Sequence, residues 1–122
     1  MTTIDAWKDL LRVKIRAALV AKDRPVLAVL RETLAALDNA EAPPLGASEN
    51  SFVVSDDARS GDIERLALSS EAVVAIIEGE IRERRDASAT YQRLDRHDEA
   101  NVLTMQADVL AAFIDEGRAT CG

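Results

Sequence analysis

In four separate stretches of this chain the apolar residues return every three or four positions, a rhythm that constrains the fold more than any other feature. Between Thr3 and about Lys22 the repeating positions are Ile4, Trp7, Leu11, Ile15 and Ala18, which share one face of a helix. Leu27, Leu30, Leu34 and Leu37 do the same after Arg24. A third stripe runs through Val73, Ile77 and Ile81 to Tyr91 and Leu94, passing through Arg84 and Ser88 on the way. Ala100, Leu103, Ala107, Leu110 and Ile114 make the fourth. No segment carries a convincing two-residue alternation. Aromatic residues are only 3% of the chain, so its core must be filled by Leu, Ile, Val and Ala, which suits packed helices better than a β-sandwich. The expected fold is all-α, a small bundle of two helical hairpins joined by a long loop, in one domain spanning residues 1–122.

Capping and breaking residues punctuate these stripes. Thr3 is a candidate cap for the first helix. Asp23, with Pro25 just inside the next turn, marks the start of the second, and the short link from Lys22 to Arg24 makes the first two helices antiparallel neighbours. Pro43 and Pro44 prevent its continuation. Residues 44–65 then form a connector rich in Ser, Gly and Asp, either mobile or pinned to the core by the apolar island Phe52, Val53 and Val54. Ser69 caps the third helix, with Leu68 and Val73 placed as a hydrophobic staple. Gly79 within that helix implies a close approach by a neighbouring helix, since it otherwise costs about 1 kcal/mol relative to alanine. Asp95 is the expected cap of the fourth helix, and Gly117 its expected stop, leaving residues 117–122 as a frayed tail.

Several function classes are excluded. No apolar run approaches the roughly 20 residues that span a bilayer, and Asp5, Lys8 and Asp9 interrupt the N-terminus, so neither a membrane anchor nor a secretory leader is expected. One cysteine, Cys121, forms no intrachain disulfide and fits a cytoplasmic location. His97, the only histidine, lacks the partners of a zinc or di-iron site and reads as an exposed residue near a helix start. The scattered glycines form no phosphate-binding loop. No metal and no cofactor is expected.

Three groups of residues remain as candidates. Glu80 and Arg84 stand one helical turn apart beside Ile77 and Ile81, with Arg85 next to them; they make either a structural ion pair or an anchor for a phosphate or carboxylate. The second group is basic. The net charge is −7, but residues 1–40 carry seven Lys and Arg against five Asp and Glu, while residues 41–122 carry eight against seventeen. Lys8, Arg12 and Arg16, at four-residue steps, with Lys22 and Arg24, are either solvated surface or the only plausible contact for RNA phosphates on an acidic protein. The third group is apolar: Val102, Met105, Val109 and Phe113 lie beside the main stripe of the fourth helix, making it apolar over a wide arc suited to a homodimer or another protein partner.

Several segments together resemble the GatB/YqeY family. They are Leu68-Ser-Ser-Glu-Ala-Val73, Glu80-Ile-Arg-Glu-Arg-Arg-Asp86, Tyr91, Arg96-His-Asp-Glu-Ala100 and Ala107-Asp-Val-Leu110, with Lys22-Asp23, Leu30-Arg31 and Asn39-Ala-Glu41 in the first half. The match around Glu80, Arg84 and Arg85 is the most specific. It covers most of the chain outside residues 44–65 and the tail, and corresponds to the family's N-terminal helical region. Asp95 departs from it, standing where glycine is common, and the resemblance is expected not to extend to the family's second small helical domain. The resemblance implies a helical accessory region linked to glutamine-dependent tRNA amidation, a carbon–nitrogen ligase activity with glutamine as amide donor, or to other tRNA handling. The amide-generating machinery of such systems lies in other domains and subunits, so this chain is expected to be non-catalytic, with tRNA or a tRNA-processing protein as partner. A protein-interaction module using the fourth helix is the alternative. An enzyme with Glu80 as base and Arg84 or Arg85 holding an anionic substrate is a third possibility without a nucleophile motif behind it.

Overall fold

A computed structural model describes residues 2–42 and 67–121. They form four helices: α1 (Thr3–Ala21), α2 (Arg24–Glu41), α3 (Ser70–Arg93) and α4 (His97–Thr120). There is no strand among the described residues. α1 and α2 make one hairpin and α3 and α4 a second, longer one, with α2 packed against both helices of the second. The fold is all-α, two hairpins built around the four apolar stripes. Residues 44–65, expected as a long loop, lie outside the described residues.

Local chemistry explains where each helix begins. The first cap is Thr2 rather than Thr3, because Asp5 stands three residues after Thr2 and completes a reciprocal box: the Thr2 hydroxyl accepts from the Asp5 N–H, and the Thr2 N–H donates to the Asp5 carboxylate, both at 3.2 Å. These bonds, side chain first, hold the Asp5 carboxyl below its ordinary pKa. Asp23 caps α2 through the Val26 N–H, and Ser69 caps α3 through the Ala72 N–H. α2 ends at Glu41, followed by Ala42 in the extended conformation favoured before a proline.

Both hairpin turns use the same closure. Lys22 and Asp95 adopt positive φ values of 58° and 61°. Around them the N–H groups of Lys22 and Asp23 bond to the carbonyls of Leu19 and Ala18, and those of Asp95 and Arg96 to Gln92 and Tyr91. Each is the paired bonding of a Schellman motif, which satisfies carbonyls that a helix end leaves without partners. Asp95 therefore closes α3 instead of capping α4. The residue preceding α4 is Arg96, whose side chain makes no capping bond.

Trp7, fully buried, fastens the hairpins together. Its indole Nε1 donates to Ser70 Oγ at the start of α3 (3.0 Å), and its ring meets Phe113 of α4 edge-on, with centroids 5.8 Å apart. Gly117 lies directly beneath that ring, where a Cβ would overlap Cζ3 and Cη2. Gly117 is thus a packing residue inside α4, which continues to Thr120, so the expected stop at Gly117 is corrected. Gly79 is corrected in the opposite sense, since among the described residues nothing lies within 4 Å of the position its Cβ would take.

Candidate functional site

The stripe of α3 stays buried as it passes through its polar positions. Arg84 is buried and donates to the Glu80 carboxylate at 2.9 Å and to the Glu80 carbonyl at 3.0 Å. Its other terminal nitrogen pairs with Glu32, an exposed residue of α2. The expected Glu80–Arg84 pair is present, then, but it is part of a bridge between hairpins. Arg84 Nε, also buried, has no hydrogen-bond partner among the described residues. One turn on, Ser88 Oγ donates to the Ala100 carbonyl at 2.8 Å and lies 2.9 Å from Thr104 Oγ1, so a buried hydroxyl is satisfied by α4. Arg85 leaves this line and pairs at 3.1 Å with Asp108 of α4, both side chains exposed. Thus Glu80, Arg84 and Arg85 all sit at helix contacts, with Arg84 reaching α2 and Arg85 reaching α4.

The basic group divides. Lys8 is buried and bonds to Asp38 (2.7 Å) and Glu41 on α2, and so belongs to the interior of the first hairpin rather than to a stripe for phosphates. Burial alone would push its ammonium down, but the hydrogen bonds and charges of Asp38 and Glu41 outweigh it and hold the pKa above the ordinary lysine value. Four-residue steps drift about 40° each around a helix, which rotates Arg12 and Arg16 away from Lys8 to the outside. Arg12 pairs with Asp9 at 3.1 Å, and Arg16, Lys22 and Arg24 are exposed. The sequence carried a signal for Lys8: it stands four residues after Ile4 and three before Leu11, in phase with the apolar stripe. Glu41 carries the same signal, four residues after Leu37 and seven after Leu34 on the stripe of α2, whereas Glu32 lies off that stripe.

The apolar row of α4 is also split. Phe113 is a core residue against Trp7, Met105 and Val109 are half-buried, and Val102 remains 40% exposed. Val109 borders a trough of about 370 Å3 between α1 and α4. Ala18, Leu30 and Phe113, all buried, form its floor, while Ala17, Ala21 and Ala112 line its exposed sides. At one end the rims are bridged by Lys14 and Glu116 at 2.7 Å. The trough is largely apolar and lined by small side chains, which permits a close approach by another helix. Sequence reasoning identified Val109 but not the contribution of α1.

At the α3–α4 turn, Arg96 lies over the Tyr91 ring and bonds to Glu99, a hydrogen bond that holds the Glu99 carboxyl below its usual range. His97 Nδ1 lies 2.7 Å from Gln92 Oε1, and both residues are exposed. Among the described residues no group of His, Cys, Asp and Glu is arranged to hold a metal ion, and no helix is long and apolar enough to cross a membrane. No protein-family model, curated protein or solved structure matches the chain.

Proposed function

We propose that this chain is a non-catalytic accessory module of the GatB/YqeY kind, linked to glutamine-dependent tRNA amidation or another step of tRNA handling and acting by binding a component of that system. The observation that supports this reading is the use made of its most family-like residues. Arg84 is held by Glu80 and Glu32, and Arg85 by Asp108, so each guanidinium is committed to contacts between or within helices. A base and an anion anchor would need to face a ligand, whereas Glu80 and buried Arg84 face their own fold. What the molecule offers a partner is surface: the exposed Arg12, Arg16, Lys22 and Arg24 of the first hairpin and the trough beside α4.

The test is reconstitution with the amidotransferase and tRNA of the source cell. Co-elution with either, together with a changed rate of amidation, is the expected result; no co-elution and no effect on the rate overturns the reading. A second reading, a protein-interaction module using α4, is favoured by the exposed Val102 and by Val109 at the trough.

A further inference from the structure

The trough does not stand alone on the surface. Val20 is 84% exposed and Val13 is 49% exposed, the former a large apolar side chain almost entirely in water. With Ala17 between them they occupy positions i, i+4 and i+7 of α1 and form one apolar ridge. Ala17 also lines the trough, so ridge and trough share an edge of the same helix. The geometry points to a second copy of this chain as the occupant: a two-fold dimer in which the Val13–Ala17–Val20 ridge of each copy lies in the trough of the other. This inference rests on the reading of α4 as a protein-contact surface and names the protein.

A two-fold interface uses one surface patch twice, and it therefore needs projecting and receiving parts side by side on one molecule. This patch has both. The small side chains of Ala21 and Ala112 on the trough walls leave room for the ridge of a neighbouring helix. Charge selects the same partner. Beyond the ridge stands exposed Arg16, while the α4 rim carries exposed Asp115 beside Glu116, which is paired with Lys14 of its own chain, so docking the ridge carries Arg16 of one copy towards Asp115 of the other. An acidic helix or an anionic lipid surface would be attracted by Arg16 but repelled by Asp115. A second copy matches both edges.

Sedimentation equilibrium of the full chain, in a Cys121→Ser background that prevents disulfide cross-linking, tests the arrangement. The expected result is a concentration-dependent monomer–dimer equilibrium, with Val20→Glu on the ridge and Ala112→Glu in the trough each raising the dissociation constant about tenfold or more. Both positions are exposed and helical, so circular dichroism should show unchanged folding in each variant. A chain that stays monomeric up to about 100 μM, a concentration at which even weak specific dimers form, overturns the inference. A dimer left intact by either variant overturns it as well, because its interface then lies elsewhere. The accessory reading is decided separately, by co-elution with the amidotransferase or tRNA. Contact through α4 with some other protein would appear as protection of Val102 and Val109 in a complex formed by the monomer.

Discussion

Lys22 and Asp95 hold a backbone conformation that costs a side-chain-bearing residue roughly 1 kcal/mol, and neither gains a compensating buried contact at its exposed turn. Asp95→Gly should therefore raise thermal stability, by up to about 1 kcal/mol, as the Schellman closure is kept while the Cβ is removed. The two helical glycines should respond to alanine with opposite signs. Gly79→Ala adds a methyl group where there is open space and should stabilise by about 0.5–1 kcal/mol, while Gly117→Ala drives a methyl into the Trp7 ring and should cost about 1–3 kcal/mol. Thermal melts of the three variants check the set, and equal shifts for the two glycine variants would contradict the packing described. The sequence marked both glycines as special but exchanged their roles, since stop signals and close contacts leave the same residue type behind. Asp95 was misassigned for a similar reason: aspartate favours caps at a helix start and also tolerates the left-handed conformation at a helix end.

At the scale of the helices, stability should depend on polar residues placed inside apolar stripes. Removing Arg84 leaves the Glu32 and Glu80 carboxylates without their shared cation, so Arg84→Ala should destabilise by about 2–3 kcal/mol. Exposed Arg82 and Glu83 should each lose under about 0.5 kcal/mol on the same change, and Glu80→Ala should fall between, because Glu32 still holds Arg84. Chemical denaturation of the four variants would expose an error if all shifts were equal. Lys8 adds a dependence on pH. Its pKa is raised in the folded chain, so its contribution is complete below the unfolded value of about 10.5 and is lost as pH rises through the folded one. A Lys8→Met variant should accordingly be less stable than the wild type at neutral pH by about 2–4 kcal/mol, with the difference narrowing only above about pH 10.5. A constant difference up to pH 12 would argue against the pair, in a titration followed by denaturant midpoint. Helix number and order were legible in the sequence, because stripes are local patterns, and so were the starts of α2 and α3 at Asp23 and Ser69, whereas both ends of α4 were not. The i,i+4 pair Glu80–Arg84 was legible for the same reason. Its third member, Glu32, was not, since 52 residues separate it from Arg84 and only the docking of two hairpins brings them together.

For the molecule as a whole, the unequal charge of its two halves limits how it could meet RNA. With Lys8 internal and Lys14 paired with Glu116, the exposed cations of the first hairpin are Arg12, Arg16, Lys22, Arg24 and Arg31, on a chain whose net charge is −7. Three or four phosphate contacts imply a tenfold to hundredfold loss of affinity between about 50 and about 200 mM salt. Filter binding or fluorescence anisotropy should thus find weak, salt-sensitive association with tRNA that Arg12→Glu with Arg16→Glu abolishes; a sub-micromolar complex at physiological salt would show that another surface makes the contact. The placement of Trp7 has a different kind of consequence, for optical measurement. It is the only tryptophan in the chain, and it touches Ser70 at the start of α3 and Phe113 and Gly117 near the end of α4. Its emission should be blue-shifted only while the first hairpin is docked on the second, whereas far-ultraviolet circular dichroism follows the helices themselves. Intrinsic fluorescence is in this way a built-in gauge of hairpin docking, and superimposable denaturation curves from the two signals would mean that helices form and assemble in one cooperative step.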